Sequence, residues 1–248
     1  MLSDPGMADA TRARFIPGIY NYCDRWCERC RYAQRCYTRA ERLRFEEALA
    51  KGLAPSLGDG PPEEATTDRV VRPWLADLQR AQEELDTGEL HRLIAQHEAD
   101  DLRAREDPLV RQTAAYRDQA LHFVKALATV RGESRDPIVS AALEVIEAQA
   151  WAMSGKMFRA VRGLFDRDLD DDPLDVQTDA NGSAKLMLLL IAESRSAWEV
   201  LTGVGRAIAD GVPARMMRDL LALDRAIASR FPRAMAFVRP GFDTEPAD

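Results

Sequence analysis

Ala184–Arg206 reads AKLMLLLIAESRSAWEVLTGVGR, and this stretch decides the fold class. Leu186, Leu190, Glu193, Ala197, Val200 and Val204 recur at helical spacing. Apolar residues fill most of the remaining circumference, so the segment is predicted to be the most buried helix of the chain. Its longest apolar run, Leu186–Ala192, stops at Glu193 and is far shorter than the roughly 18 residues of a membrane span.

Working outward, the same periodicity recurs on both sides. Asn181-Gly182-Ser183 reads as a turn in which Ser183 caps the helix. Upstream, Pro137 opens a helix whose Val139, Leu143, Ile146, Ala150, Met153 and Met157 face one way. Pro108 opens another, with Tyr116, Ala120, Phe123, Leu127 and Val130 in phase, closed by Arg131-Gly132. A longer pattern from Pro73 to Arg105 carries Leu75, Leu78, Leu85, Leu90, Leu93 and Ile94, with Thr87-Gly88 as a kink. Downstream, a helix begins near Pro213 and runs to Arg230, and the tail from Pro240 is expected to be loose. No segment reads as a strand. The chain is 46% hydrophobic, 30% charged and only 7% aromatic, the composition of good helix formers. The predicted fold is all-α, a bundle of four to five helices.

A different kind of sequence precedes the bundle. Pro55, Gly58, Gly60, Pro61 and Pro62 lie among small and acidic residues and mark a linker over 54–69. It separates a small Cys-rich metal-binding module, 12–53, from a helical bundle, 70–239. Charge follows the same division. Thr11–Arg44 holds nine Arg against Asp24, Glu28 and Glu41, a local charge of +6, whereas the whole chain carries −7, leaving −13 for the rest.

All four cysteines of the chain lie in that basic stretch, as Cys23-x3-Cys27-x2-Cys30-x5-Cys36. Met1–Ala13 contains no apolar run of signal-peptide length, so the expected compartment is the cytoplasm, where thiols stay reduced. Four cysteines within 14 residues then point to a metal. If Cys23, Cys27 and Cys30 sit on a helix, they share a face, and the backbone must turn before Cys36, although no Gly or Pro marks a turn there. A thiolate set suits an iron–sulfur cluster or zinc. Structural zinc commonly draws on two separated pairs, so one compact run favours a [4Fe-4S] cluster, with zinc as the alternative and disulfides or unliganded thiols third. Arg25, Arg29, Arg31, Arg35 and Arg39 are expected to offset the charge of the thiolates and to donate to sulfur, with aromatic residues shielding the site.

Cys27–Cys36 (CERCRYAQRC) resembles the C-x2-C-x5-C portion of auxiliary iron–sulfur domains in radical-SAM enzymes. The spacing of Cys23, Cys27 and Cys30 resembles the radical-SAM cluster motif. The resemblance covers about 14 of the 248 residues and implies a ligand type but not an activity, because the chain has no βα repeat from which to build the barrel.

Other candidate groups are weaker. A diiron site needs Glu-x-x-His pairs, and none of His91, His97 or His122 has a Glu three residues before it. His97 falls in phase with Leu90, Leu93 and Ile94 and is expected to face inward, whereas His122 lies away from Phe123 and Leu127. Glu193 shares the apolar face of its helix, where it reaches solvent at the bundle rim or else takes Lys185, Arg195 or a histidine as a buried partner. Asp166-x-Asp168-x-Asp170 starts like a calcium loop, but Asp171 and Gln177 stand where Gly and Glu are needed. Three functions follow. The favoured one is an iron–sulfur protein in electron transfer, redox sensing or support of a protein partner. The second is a zinc-stabilised interaction or nucleic-acid-binding module without catalysis, nucleic acid being disfavoured by the acidic chain. The third is an enzyme built on Glu193 and His97. The many apolar helical faces also make a homodimer compatible with the sequence.

Overall fold

The computed structural model describes residues 14–51, 87–131, 136–165, 175–203 and 211–243. Among these the chain forms six α-helices and no strand: α1 (Tyr37–Ala50), α2 (Thr87–Glu106), α3 (Pro108–Arg131), α4 (Pro137–Arg162), α5 (Asp179–Gly203) and α6 (Val212–Arg230). Three short 3-10 turns, Ile19–Tyr22, Ala33–Arg35 and Ala234–Ala236, complete the regular structure. The fold is all-α, a helical bundle. The expected linker 54–69 and the expected helix start at Pro73 lie outside the described residues, as does the run Asp166–Asp171.

The chain separates into two compact units, one of residues 1–37 and 102–248, the other of residues 38–101. The cysteine-bearing segment therefore belongs to the same unit as α3–α6.

Local chemistry sets the helix ends in that unit. Asp107 accepts from the Leu109 N–H at 2.8 Å ahead of Pro108, and Asp136 accepts from the Ile138 N–H at 2.8 Å ahead of Pro137. Both are N-cap carboxylates followed by proline at the first helical position, where the missing N–H costs nothing. Gly211 takes a left-handed conformation, φ 75°, before α6.

Helix α5 is the most buried element, with 14 of its 25 residues buried against 12 of 26 in α4. Val139, Leu143, Ile146, Ala150, Met153 and Met157 of α4 all lie in the core, as the periodicity implied. Trp198 is fully buried and packs on Phe123 with ring centroids 5.2 Å apart. Its indole N–H donates to the Tyr116 hydroxyl at 2.9 Å, which shares a 2.8 Å hydrogen bond with Ser194. This satisfies the polar atoms that burial would otherwise penalise.

Three expectations are corrected. Helix α5 begins at Asp179, not after Ser183, and Thr178 supplies the cap through its hydroxyl to the Asn181 N–H at 3.2 Å. Ser183 is fully buried inside the helix, its hydroxyl without a hydrogen-bond partner. Leu93 and Ile94 of α2, expected to face a core, are 52% and 46% exposed, and His97 beside them is exposed as well. The tail is ordered through Asp243: Phe242 packs edge-on against Tyr32 at 5.4 Å, and Lys185 bridges the Phe237 carbonyl and the Asp243 carboxylate at 2.6 and 2.7 Å. The sequence pattern did not show these attachments because they join residues more than 50 positions apart.

Candidate metal centre

The cysteines are not on a helix. After the Ile19–Tyr22 turn, Cys23 is extended (φ −108°, ψ 161°), and successive tight turns carry the chain onward. Their hydrogen bonds run from Arg29 N–H to the Trp26 carbonyl (3.1 Å), Cys30 to Cys27 (3.4 Å), Ala33 to Cys30 (3.1 Å) and Arg35 to Tyr32 (2.9 Å). Arg25 makes the sharpest change of direction, with φ 63°. It occupies the left-handed region that costs a non-glycine residue about 1–2 kcal/mol. Asp24 supports the turn by accepting from the Trp26 N–H at 2.9 Å. The turn expected between Cys30 and Cys36 is made without Gly or Pro, by the 3-10 turn Ala33–Arg35.

These turns bring all four cysteines to the wall of one cavity, with Ile19 and Phe242 among its other walls. All four are free thiols; Cys36 is buried and the other three are half-buried. The cavity is small, about 20 Å3. No nitrogen or oxygen surface opens into it. Among the described residues, no three His, Cys, Asp or Glu side chains approach closely enough to enclose a single ion. The thiols surround a space and do not converge on a point.

Burial pushes the Cys23 thiol up from its ordinary pKa, while the Arg25 N–H and the nearby Lys156 ammonium pull it down. The Cys23 thiol donates to the Tyr20 carbonyl at 3.5 Å. Lys156, on α4, is buried and donates to the Asn21 carbonyl. Burial lowers its pKa to about 8, and Cys23 opposes that shift. Of the arginines expected around the thiols, Arg29 lies over the Trp26 ring at 3.7 Å and pairs with Glu144 at 3.5 Å, and Arg31 lies over Tyr32 at 4.7 Å. These two serve aromatic faces.

A polar clamp fixes the segment to the bundle. Arg159 grips Asp179 through two nitrogens, Nε at 2.6 Å, and reaches the Asn21 side chain at 3.3 Å. Tyr22 donates its hydroxyl to Asp179 at 2.9 Å, and its ring lies 4.6 Å from that of Phe237. Burial and the Asp179 charge push the Tyr22 phenol well above its usual range. Gly182 permits this packing: a Cβ there would stand 2.4 Å from the Tyr22 ring and 2.7 Å from that of Phe237. Asn181-Gly182 therefore marks a close approach inside a helix, not a turn. The clamp residues Arg159, Asp179 and Gly182 went unrecognised in the sequence, where the only signal was a glycine inside a helical pattern.

The other candidates do not assemble. Glu193 sits at the bundle rim, where Gln149 donates to it and burial, with Asp24 nearby, raises its carboxyl pKa. Lys185, considered as its partner, is held by Asp243 instead. His91, His97 and His122 are exposed. Among the described residues no helix is long and apolar enough to cross a membrane. Comparison of the chain with protein-family models, with curated proteins and with solved structures finds no match.

Proposed function

We propose that Cys23, Cys27, Cys30 and Cys36 hold a [4Fe-4S] cluster and that the protein works as a redox protein, passing electrons to or sensing them for a protein partner. One observation supports this: the four thiols line a single small cavity with apolar walls. Zinc bound at about 2.3 Å from each sulfur needs sulfurs roughly 3.8 Å apart, converging on a point. A cubane cluster holds its four thiolates farther apart, around a common centre. The cluster, when bound, supplies one-electron chemistry.

The chain's own residues give the site its properties. Ile19 and Phe242 supply apolar walls beside the sulfurs, and Lys156 places a buried positive charge beside Cys23 to offset thiolate charge. Low solvent access and nearby positive charge are the means by which proteins set a cluster's potential. Trp26 lines both this cavity and the neighbouring cleft. Replacing each cysteine in turn by serine tests the assignment. Each variant, purified without oxygen, is expected to lose most of its iron; full iron in any three of the four would overturn it.

A further inference from the structure

A second opening lies on the other side of the Asp24–Trp26 turn from the cysteine cavity. It is a cleft of about 600 Å3 between that turn and one face of α4, within the range of small-molecule sites. Trp151, Gly155, Lys156 and Arg159 line it from α4, at the i, i+4, i+5 and i+8 positions that share a helix face. Trp26 closes the opposite side.

Three features distinguish this cleft from an ordinary surface groove. Lys156 is only 6% exposed, yet among the described residues its ammonium meets one neutral acceptor, the Asn21 carbonyl, and no carboxylate within ion-pair distance. An ammonium has three donors, so two remain. A buried ammonium with donors left over favours a further acceptor, and an anion in the cleft that Lys156 lines would supply one in addition to the neighbouring Cys23 sulfur. The guanidinium of Arg159 is already matched by Asp179. Trp151 is 59% exposed at the cleft, with the Arg117 guanidinium 5.5 Å from its ring centre, and a large exposed aromatic ring is a typical ligand contact. Gly155 leaves the floor open, since a Cβ there would meet nothing within 4 Å. Of the two acids in the lining, Asp24 is engaged with the Trp26 N–H, and Glu28 is exposed.

We infer that this cleft binds an anionic ligand with a planar aromatic ring, of the nucleotide class, its phosphate or carboxylate on Lys156 and its ring against Trp151 and Trp26. Indole faces accept flat rings of any substitution, and an ammonium binds phosphate as a point charge. The site does not depend on which metal the cysteines hold, although the turn between Cys23 and Cys27 forms one of its walls.

Calorimetric titration of the full chain with two matched pairs, flavin mononucleotide against riboflavin and AMP against adenosine, tests it. At least one phosphorylated member is expected to bind saturably with a Kd of about 100 µM or tighter, and its uncharged counterpart about tenfold more weakly or not at all. Lys156→Met should weaken binding about tenfold or more, and Trp151→Ala should weaken both members of the pair. Gly155→Leu fills the floor at an exposed helical position where leucine is a better helix former, so it should abolish binding while the protein stays folded by circular dichroism. Absence of saturable binding by either phosphorylated probe, equal binding of charged and uncharged members, or unchanged binding in Gly155→Leu would overturn the inference. Iron measured in the same samples separates the two proposals: binding without iron leaves the cleft and removes the cluster, and iron without binding does the reverse.

Discussion

Between Ala104 and Ala234 the buried side chains form one continuous core that includes Trp198, Tyr116, Ile146, Met153, Met157 and Leu190. Over residues 14–36 only Ile19, Tyr32 and Cys36 are buried. Each fully buried side chain contributes roughly 1.5–3 kcal/mol, and fixing each backbone residue costs roughly 1–2 kcal/mol. The bundle can therefore hold itself by apolar burial, and the cysteine segment cannot. Its turns are kept in place by what attaches them: the Tyr22–Asp179–Arg159–Asn21 clamp, the Phe242 contact and, on the proposed reading, four metal–sulfur bonds. One compact unit thus joins a region specified by packing to a region specified by cross-links.

The sharpest way to break that comparison is to take the proposed metal away. Structural metal–thiolate sites contribute on the order of 10 kcal/mol. Chelation or oxidative loss of the metal is expected to abolish amide protection over 14–36 in hydrogen exchange, while α4 and α5 keep theirs. Loss of protection in both regions together would mean that the bundle is not self-sufficient.

Gly182→Ala attacks the junction from the bundle side. With a Cβ at 2.4 Å from Tyr22, either the helix or the ring must move, and the expected cost is about 1–3 kcal/mol in thermal unfolding. Tyr22→Ala should remove most of that penalty, so the double variant is expected to be more stable than the sum of the single effects implies.

Acid should loosen the far edge of the segment. Asp243, although largely burial-opposed, is held by Arg239 and Lys185 well below the ordinary carboxylate range. Because its folded pKa is depressed, the stability it contributes is present above the usual value near 4 and is lost as pH falls below it. Protection of 240–243 is expected to fall over that window, and Asp243→Asn should remove the pH dependence. An unchanged acid profile in Asp243→Asn would show that the carboxylate does not secure the tail.

The smallest effect should come from Arg25. Arg25→Gly relieves the left-handed strain and is expected to stabilise the segment by about 1 kcal/mol or less, after the greater unfolded-state entropy of glycine is subtracted. Slower metal release on challenge with a chelator would register it, and faster release would mean that the arginine side chain itself holds the turn.

The difference between the regions also explains what the sequence revealed. Helical periodicity is a local signal repeated over several turns, and it located α3 and the start of α4 to the residue and α6 within one. Cysteine spacing likewise singled out the four thiols that the structure places around one cavity. The arrangement of that set was hidden, because its turn rests on a left-handed arginine and its anchors come from Asp179, Gly182, Lys185 and Phe242, far along the chain. Gly182 was misread for the same reason: a glycine that opens a turn and a glycine that admits a tyrosine ring look alike in sequence. His97 was placed by the phase of its neighbours, yet Leu93 and Ile94 are themselves exposed, so phase identifies a face but not what covers it.

The most direct test is to purify the full chain without oxygen and measure its visible absorption together with iron, zinc and acid-labile sulfide. The expected result is a brown protein with a broad band near about 400 nm that bleaches on reduction, and iron and sulfide in equal amounts, about four of each per chain. A colourless protein with about one zinc per chain and no sulfide would contradict the proposed cluster, leaving the cysteine segment as a metal-stabilised structural element.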